Sequence, residues 1–180
     1  EYRRQRQMCI RDSDQTVEEY LENISGKTAE LFALSCSVGA FESGNSERFA
    51  KKAGMIGHNI GIAFQIMDDL LDYQADAATL GKPVLEDVRQ GVYSLPLIYA
   101  LNQDNSQLRP YLEKQKQMTV EDTLQVQRLV QELGGVDYAQ QLATEYTEQA
   151  LKDIRKLPDN YFNTKEKLER LTSQILSRKS

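Results

Sequence analysis

Little in this sequence could build a disulfide scaffold, cross a membrane or wrap a polyanion. Cysteine occurs twice, at positions 9 and 36, with no CxxC spacing and no disulfide framework, which fits a reducing compartment. Histidine occurs once, at position 58, without the companions that a histidine-based metal or catalytic site needs, so a structural role is expected for it. No apolar run approaches the roughly 20 residues of a membrane-spanning helix. The formal net charge is −5, so no basic surplus offsets a phosphate backbone and nucleic acid is not the expected partner. P-loop, GxGxxG, short repeats and low-complexity tracts are missing, and neither cysteine has a histidine placed as a base. Proline is confined to positions 83, 96, 110 and 158, and no series of β-rich runs with hairpin turns occurs.

What is present reads as helix. The 180 residues are 40% hydrophobic and 27% charged, as in a soluble globular domain with a substantial core. Segments between the prolines carry 3.6-residue periodicity, and the chain is expected to be all-α. Residues 1–13 are basic and polar with no sustained apolar face. They are read as a segment apart, a candidate non-native junction, with 14–180 forming the domain.

Thr16 is the expected N-cap of a helix from Val17 to about Phe41, with Glu18 and Glu19 in its first turn. Gly26, just before Lys27-Thr28, interrupts that helix and marks a kink or a close approach. Ser46 is expected to cap a second long helix running to about Tyr73. Along it Ala50, Gly54, Gly57, Gly61, Gln65, Asp68 and Asp72 fall on one stripe, small at its start and polar at its end. The small residues should let a neighbouring helix approach closely. Gly81 and Pro83 place Lys82 in a loop. Ser94-Leu95-Pro96 reads as an N-cap region opening a short apolar helix, and further helices are expected at about 107–116, 120–133, 136–156 and 165–178.

The stretch Phe64-Gln65-Ile66-Met67-Asp68-Asp69-Leu70-Leu71-Asp72-Tyr73 organises the rest. On a helix Gln65, Asp68, Asp69 and Asp72 project from one side. Like charges at i,i+4 cost roughly 0.2–0.5 kcal/mol per pair. Carboxylates at a helix C-terminus cost about 0.3–1 kcal/mol more each. A divalent cation would reverse both signs, and hard oxygen ligands suit Mg²⁺, which takes one or two carboxylates, keeps waters and shares substrate phosphates. The bland alternative is a solvated acidic turn.

These residues also carry a resemblance. Phe64-Gln65-x-x-Asp68-Asp69-x-x-Asp72, followed by Gly81-Lys82, Asp87, Gly91 and Ser94-Leu95-Pro96, resembles the second aspartate-rich region of the trans-isoprenyl (polyprenyl) diphosphate synthases. Lys27-Thr28-Ala29 resembles the family's upstream Lys-Thr motif, and Gly135, Tyr138-Ala139 and Leu157-Pro158 resemble its C-terminal region. The likeness covers about residues 16–180 and is nearest to bacterial medium- and long-chain enzymes such as heptaprenyl diphosphate synthase catalytic components.

The resemblance implies an isoprenoid synthase helical bundle, of which this chain is the C-terminal part. It implies Mg²⁺ as cofactor, with Asp68 as direct ligand and Asp69 and Asp72 acting through metal waters or shaping the acidic shell. Lys27 and Lys82 would contact an allylic diphosphate, Thr28 and Gln65 would lie near its reacting end, and Asp87 would orient Lys82 or a metal water. The implied reaction condenses that allylic diphosphate with isopentenyl diphosphate. A homo- or heterodimer and a cytoplasmic location are implied as well. Two departures stand out: Ser94 where the family often has Thr, and no first aspartate-rich motif, arginine pair or basic residues for isopentenyl diphosphate. The isolated chain is therefore expected to be inactive and prone to aggregate. The alternatives are a non-catalytic regulatory subunit, which usually loses its aspartates, and a class I terpene cyclase fragment, which the Lys27-Thr28 and Gly81-Lys82 motifs oppose.

Overall fold

The computed structural model describes residues 15–74 and 85–177, and among them every regular element is helical. They divide into two compact units, one holding residues 21–68 and 140–177, the other 15–20 and 69–139. Lys82, with Gly81 and Pro83, lies outside the described residues.

Helix α1, Val17–Ile24, starts in the second unit and enters the first at Leu21, where it leads into a π-helical turn, Ser25–Ala29, and then α2, Glu30–Glu42. Thr16 starts α1 as expected, in a reciprocal capping box: its hydroxyl accepts from the Glu19 N–H at 3.1 Å, and the Glu19 carboxylate accepts from the Thr16 N–H at 3.0 Å. The interruption expected at Gly26 takes the form of one widened turn around Lys27-Thr28. A Cβ at Gly26 would meet no other described residue within 4 Å, so no protein backbone approaches it there.

Helix α3, Glu47–Gln74, is capped by Ser46, whose hydroxyl accepts from the Phe49 N–H at 3.3 Å. Its small-residue stripe does admit a neighbour, and the neighbour is the preceding helical segment. A Cβ at Gly57 would sit 2.5 Å from the Phe32 carbonyl oxygen, and one at Gly61 2.7 Å from Ala29 Cα. The Phe32 and Phe64 rings close the same contact at 5.6 Å. The far face of α2 stays open: Leu31, Leu34, Val38 and Phe41 recur at steps of three and four, each 48–64% exposed. In the same unit the body of α8, Gly135–Arg155, buries Ala143, Thr147, Ala150 and Ile154, and Arg155 meets Glu169 of α9, Thr164–Ser173, at 2.6 Å.

The second unit holds the end of α3 with α4 Glu86–Arg89, α5 Leu95–Gln103, α6 Arg109–Leu112 and α7 Val120–Glu132, and the first turn of α8. Its core is aliphatic, centred on Leu70, Leu95, Leu97, Ile98, Val126 and Val130. The helix expected at 107–116 is only α6 plus a 3₁₀ turn, Gln115–Gln117, because Gln115 adopts φ 47°, which ends the helical path. Thr119 and Asp122 form a second capping box at the start of α7, with Lys114 2.6 Å from Asp122. Gly134, at φ 79°, reverses the chain after α7, and a Cβ at Gly135 would lie 2.1 Å from the Pro96 carbonyl oxygen. Tyr99 and Tyr138 stack at 4.1 Å beside it.

Candidate active site

The π-helical turn presents the Lys-Thr pair in two different ways. Lys27 is exposed, while Thr28 turns to α3 and its hydroxyl donates to Gln65 Oε1 at 2.9 Å. A π turn spaces residues more widely than an α turn, and such turns often occur at functional sites. At the turn's start, Ser25 Oγ lies 2.8 Å from His58 Nε2. Thus Thr28 and Gln65, separated by 37 residues, are brought into direct contact.

Further along α3 the adjacent aspartates have unlike surroundings. Asp68 and Asp72 are exposed, whereas Asp69 is half-buried and accepts a hydrogen bond from the Tyr20 hydroxyl. Burial first, then the Asp69 charge, pushes the Tyr20 phenol far above its ordinary range, so it remains a donor at any physiological pH. Tyr73 is also buried and likewise raised, chiefly by burial. The Ser94 hydroxyl donates to it at 3.4 Å and partly offsets that shift, while the Asp69, Asp72 and Asp87 carboxylates add to it. Asp87, in α4 and exposed, therefore shares an electrostatic neighbourhood with Asp69 and Asp72. Ser94 stands at the N-cap of α5 as expected, but its side chain serves Tyr73 and makes no capping bond. Gln127 donates to the Tyr73 carbonyl at 2.8 Å, satisfying one acceptor at the negative end of α3.

Among the described residues no three His, Cys, Asp or Glu side chains converge closely enough to enclose a metal ion. Mg²⁺ does not need such an enclosure. It is ordinarily held by one or two carboxylates with waters and substrate phosphates completing the shell. Exposed Asp68 and Asp72, one helical turn apart on α3, fit that hard-oxygen donor set. Sequence reasoning missed Tyr20, Tyr73 and Ser25. Tyr73 could have been found as the residue i+4 from Asp69, but nothing in the sequence pairs Tyr20 with a carboxylate 49 positions away.

The polyprenyl synthetase family model matches residues 4–133, nearly three quarters of the sequence. This chain belongs to the polyprenyl synthetase family. The family comprises prenyl-transferring enzymes of isoprenoid biosynthesis, and its isoprenoid synthase fold is the all-α bundle seen here. A geranylgeranyl pyrophosphate synthase of Lactobacillus brevis superposes with a TM-score of 0.87 at 44% identity, over 98% of this chain and 56% of that one. A heptaprenyl diphosphate synthase of Staphylococcus aureus superposes with a TM-score of 0.82 at 32% identity, over 94% and 52% of the two chains. An all-trans-nonaprenyl-diphosphate synthase of Rhodobacter capsulatus is 37% identical over 166 residues, 92% of this chain and 50% of its own length. The chain thus spans about half the length of the curated relatives it matches. Among its described residues, no helix is long and apolar enough to cross a membrane.

Proposed function

We propose that this chain is the catalytic C-terminal half of a trans-polyprenyl diphosphate synthase, which elongates an allylic diphosphate with isopentenyl diphosphate. The observation that carries the reading is the π-helical turn: it leaves Lys27 exposed and ties Thr28 to Gln65, three residues before Asp68 on one helix. On this reading Lys27 is the diphosphate-binding cation and the aspartates of α3 are the Mg²⁺ ligands. Asp68 would hold the ion directly, with Asp72 and the Tyr20-bound Asp69 acting through metal waters or shaping the acidic shell. Bound there, Mg²⁺ would neutralise the departing diphosphate.

The chain's own residues do the rest. Lys27 and Lys82 would offset diphosphate charge, and Asp87 would orient Lys82 or a metal water. Thr28 and Gln65 fix the turn at the reacting end. Cleavage of the allylic carbon–oxygen bond leaves an allylic cation. The isopentenyl double bond attacks it, and loss of a proton completes a product five carbons longer. No protein nucleophile takes part.

A product of medium to long length is supported by the heptaprenyl relatives, although the 44% identity to a geranylgeranyl synthase favours a shorter one, so product analysis decides the point. Retention of Asp68, Asp69 and Asp72 supports a catalytic half over a regulatory subunit, and Lys27-Thr28 supports elongation over cyclisation. A dimeric assembly in the cytoplasm follows from the same reading. Calorimetric titration with inorganic diphosphate tests it: binding should require Mg²⁺ and weaken severalfold in Lys27→Ala. Binding indifferent to both would refute the reading.

A further inference from the structure

The π-helical turn is fastened to α3 at both ends. Thr28 meets Gln65 at 2.9 Å and Ser25 meets His58 at 2.8 Å. His58 and Gln65 are seven residues apart, two turns of α3, so one face of that helix addresses both ends of the π turn. Between these points Gly61 lets the two backbones touch, since a Cβ there would lie 2.7 Å from Ala29 Cα. Lys27 falls between the two fastened residues and is itself exposed.

A π turn is rarer and less favourable than the α-helix on either side, so it persists where side chains hold it. Gln65 belongs to the aspartate-rich stretch and already has a role. His58 does not. A part-buried ring nitrogen needs a hydrogen-bond partner, which solvent or α3 itself could supply. Instead Nε2 reaches the hydroxyl of the residue that opens the turn. Either tautomer can make that bond, because the hydroxyl serves as donor or acceptor.

We propose that His58, acting through Ser25, is a positioning residue that holds Lys27 in place for a bound diphosphate. The proposal rests on the reading of Lys27 as a diphosphate contact. His58 touches neither ligand nor metal; it fixes the near end of the turn as Gln65 fixes the far end.

The test titrates inorganic diphosphate, with Mg²⁺ present, into the full 180-residue chain and into K27A, H58L, H58Q, S25A and the S25A/H58L pair, with thermal melts of each. H58L and S25A should each weaken diphosphate binding about two- to tenfold, the loss set by one net hydrogen bond. The double variant should be no weaker than the poorer single, because both changes remove one interaction. H58Q, which can place an amide where Nε2 lies, should restore affinity to within about twofold. S25A, the smaller change, carries the test if H58L does not fold. Melting points that fall while diphosphate affinity holds would overturn the proposal, as would additive losses in the double variant. If K27A weakens binding and H58L and S25A do not, the positioning role alone fails. If the unmodified chain does not bind, or K27A changes nothing, the diphosphate reading fails and takes the positioning role with it.

Discussion

Gly61→Ala should separate tight packing from mere helix propensity. Alanine in place of glycine inside a helix is worth about 1 kcal/mol in propensity. At Gly61 the added Cβ would lie 2.7 Å from Ala29 Cα, whereas ordinary contact begins at 3.4 Å. The obstacle is backbone, so it cannot rotate away, and α3 must part from the π-helical turn by about 0.7 Å, the difference between those distances. Thr28 adjoins Ala29, and Gln65 is one turn beyond Gly61. Transmitted in full, the shift would stretch their hydrogen bond from 2.9 Å to about 3.6 Å, at which it no longer counts as one. Overpacking costs typically 1–3 kcal/mol, and a lost hydrogen bond about 0.5–1.5 kcal/mol. Set against the propensity gain, the net loss should be about 1–3 kcal/mol. Gly39→Ala is the control, because a Cβ there meets nothing within 4 Å. Urea unfolding should show Gly61→Ala with a lower midpoint and Gly39→Ala with one equal or higher, at similar slopes. Equal stabilisation by both would refute the packing argument.

Other consequences follow from single contacts. Thr119→Ala should cost about 0.5–2 kcal/mol in urea unfolding by removing the cap of α7. The Lys114 hydrogen bond holds the Asp122 carboxyl below its ordinary range, so Asp122 contributes stability above the unfolded carboxylate pKa and loses it as pH falls through the depressed folded value. Asp122→Asn should flatten that acid limb of the unfolding profile. Tyr20 and Tyr73 behave oppositely: their phenols are raised in the folded chain, so stability should decline as pH climbs above the ordinary tyrosine value near ~10. Tyr20→Phe should reduce the alkaline decline while costing roughly 1.5–3 kcal/mol at neutral pH, the range for a hydrogen bond to a charged group. The open apolar stripe on α2 should drive self-association, and replacing Leu34 and Val38 together by Glu should shift sedimentation toward monomer without lowering the melting point.

Periodicity and end signals make most of the helical fold legible in the sequence. Thr16 and Ser46 cap where expected, and the glycines of α3 do receive a neighbouring helix. The π turn was not legible, because one widened turn barely disturbs a pattern of threes and fours. Gly26 hinted at a break but not at its kind. Gln115 shortened a helix through its backbone angle, which residue identity did not announce. At the candidate site, the motifs drew attention to Lys27, Thr28, Gln65 and the three aspartates. The unlike environments of Asp68 and Asp69 depend on Tyr20, and local spacing carries no information about a partner 49 residues away. Ser94 showed its position but not its allegiance, since a hydroxyl at an N-cap can serve either the helix or a nearby phenol.

The proposed function requires this chain to supply one half of a prenyl-transfer site. Incorporation of labelled isopentenyl diphosphate into extractable prenyl product tests it most directly. The chain should be assayed alone and after mixing with the portion of the Lactobacillus brevis synthase that has no counterpart here. The expected result is no incorporation by the chain alone, incorporation in the mixture, and its loss when Asp68→Asn is used. Incorporation by the unaided chain, or a mixture indifferent to Asp68→Asn, would contradict it.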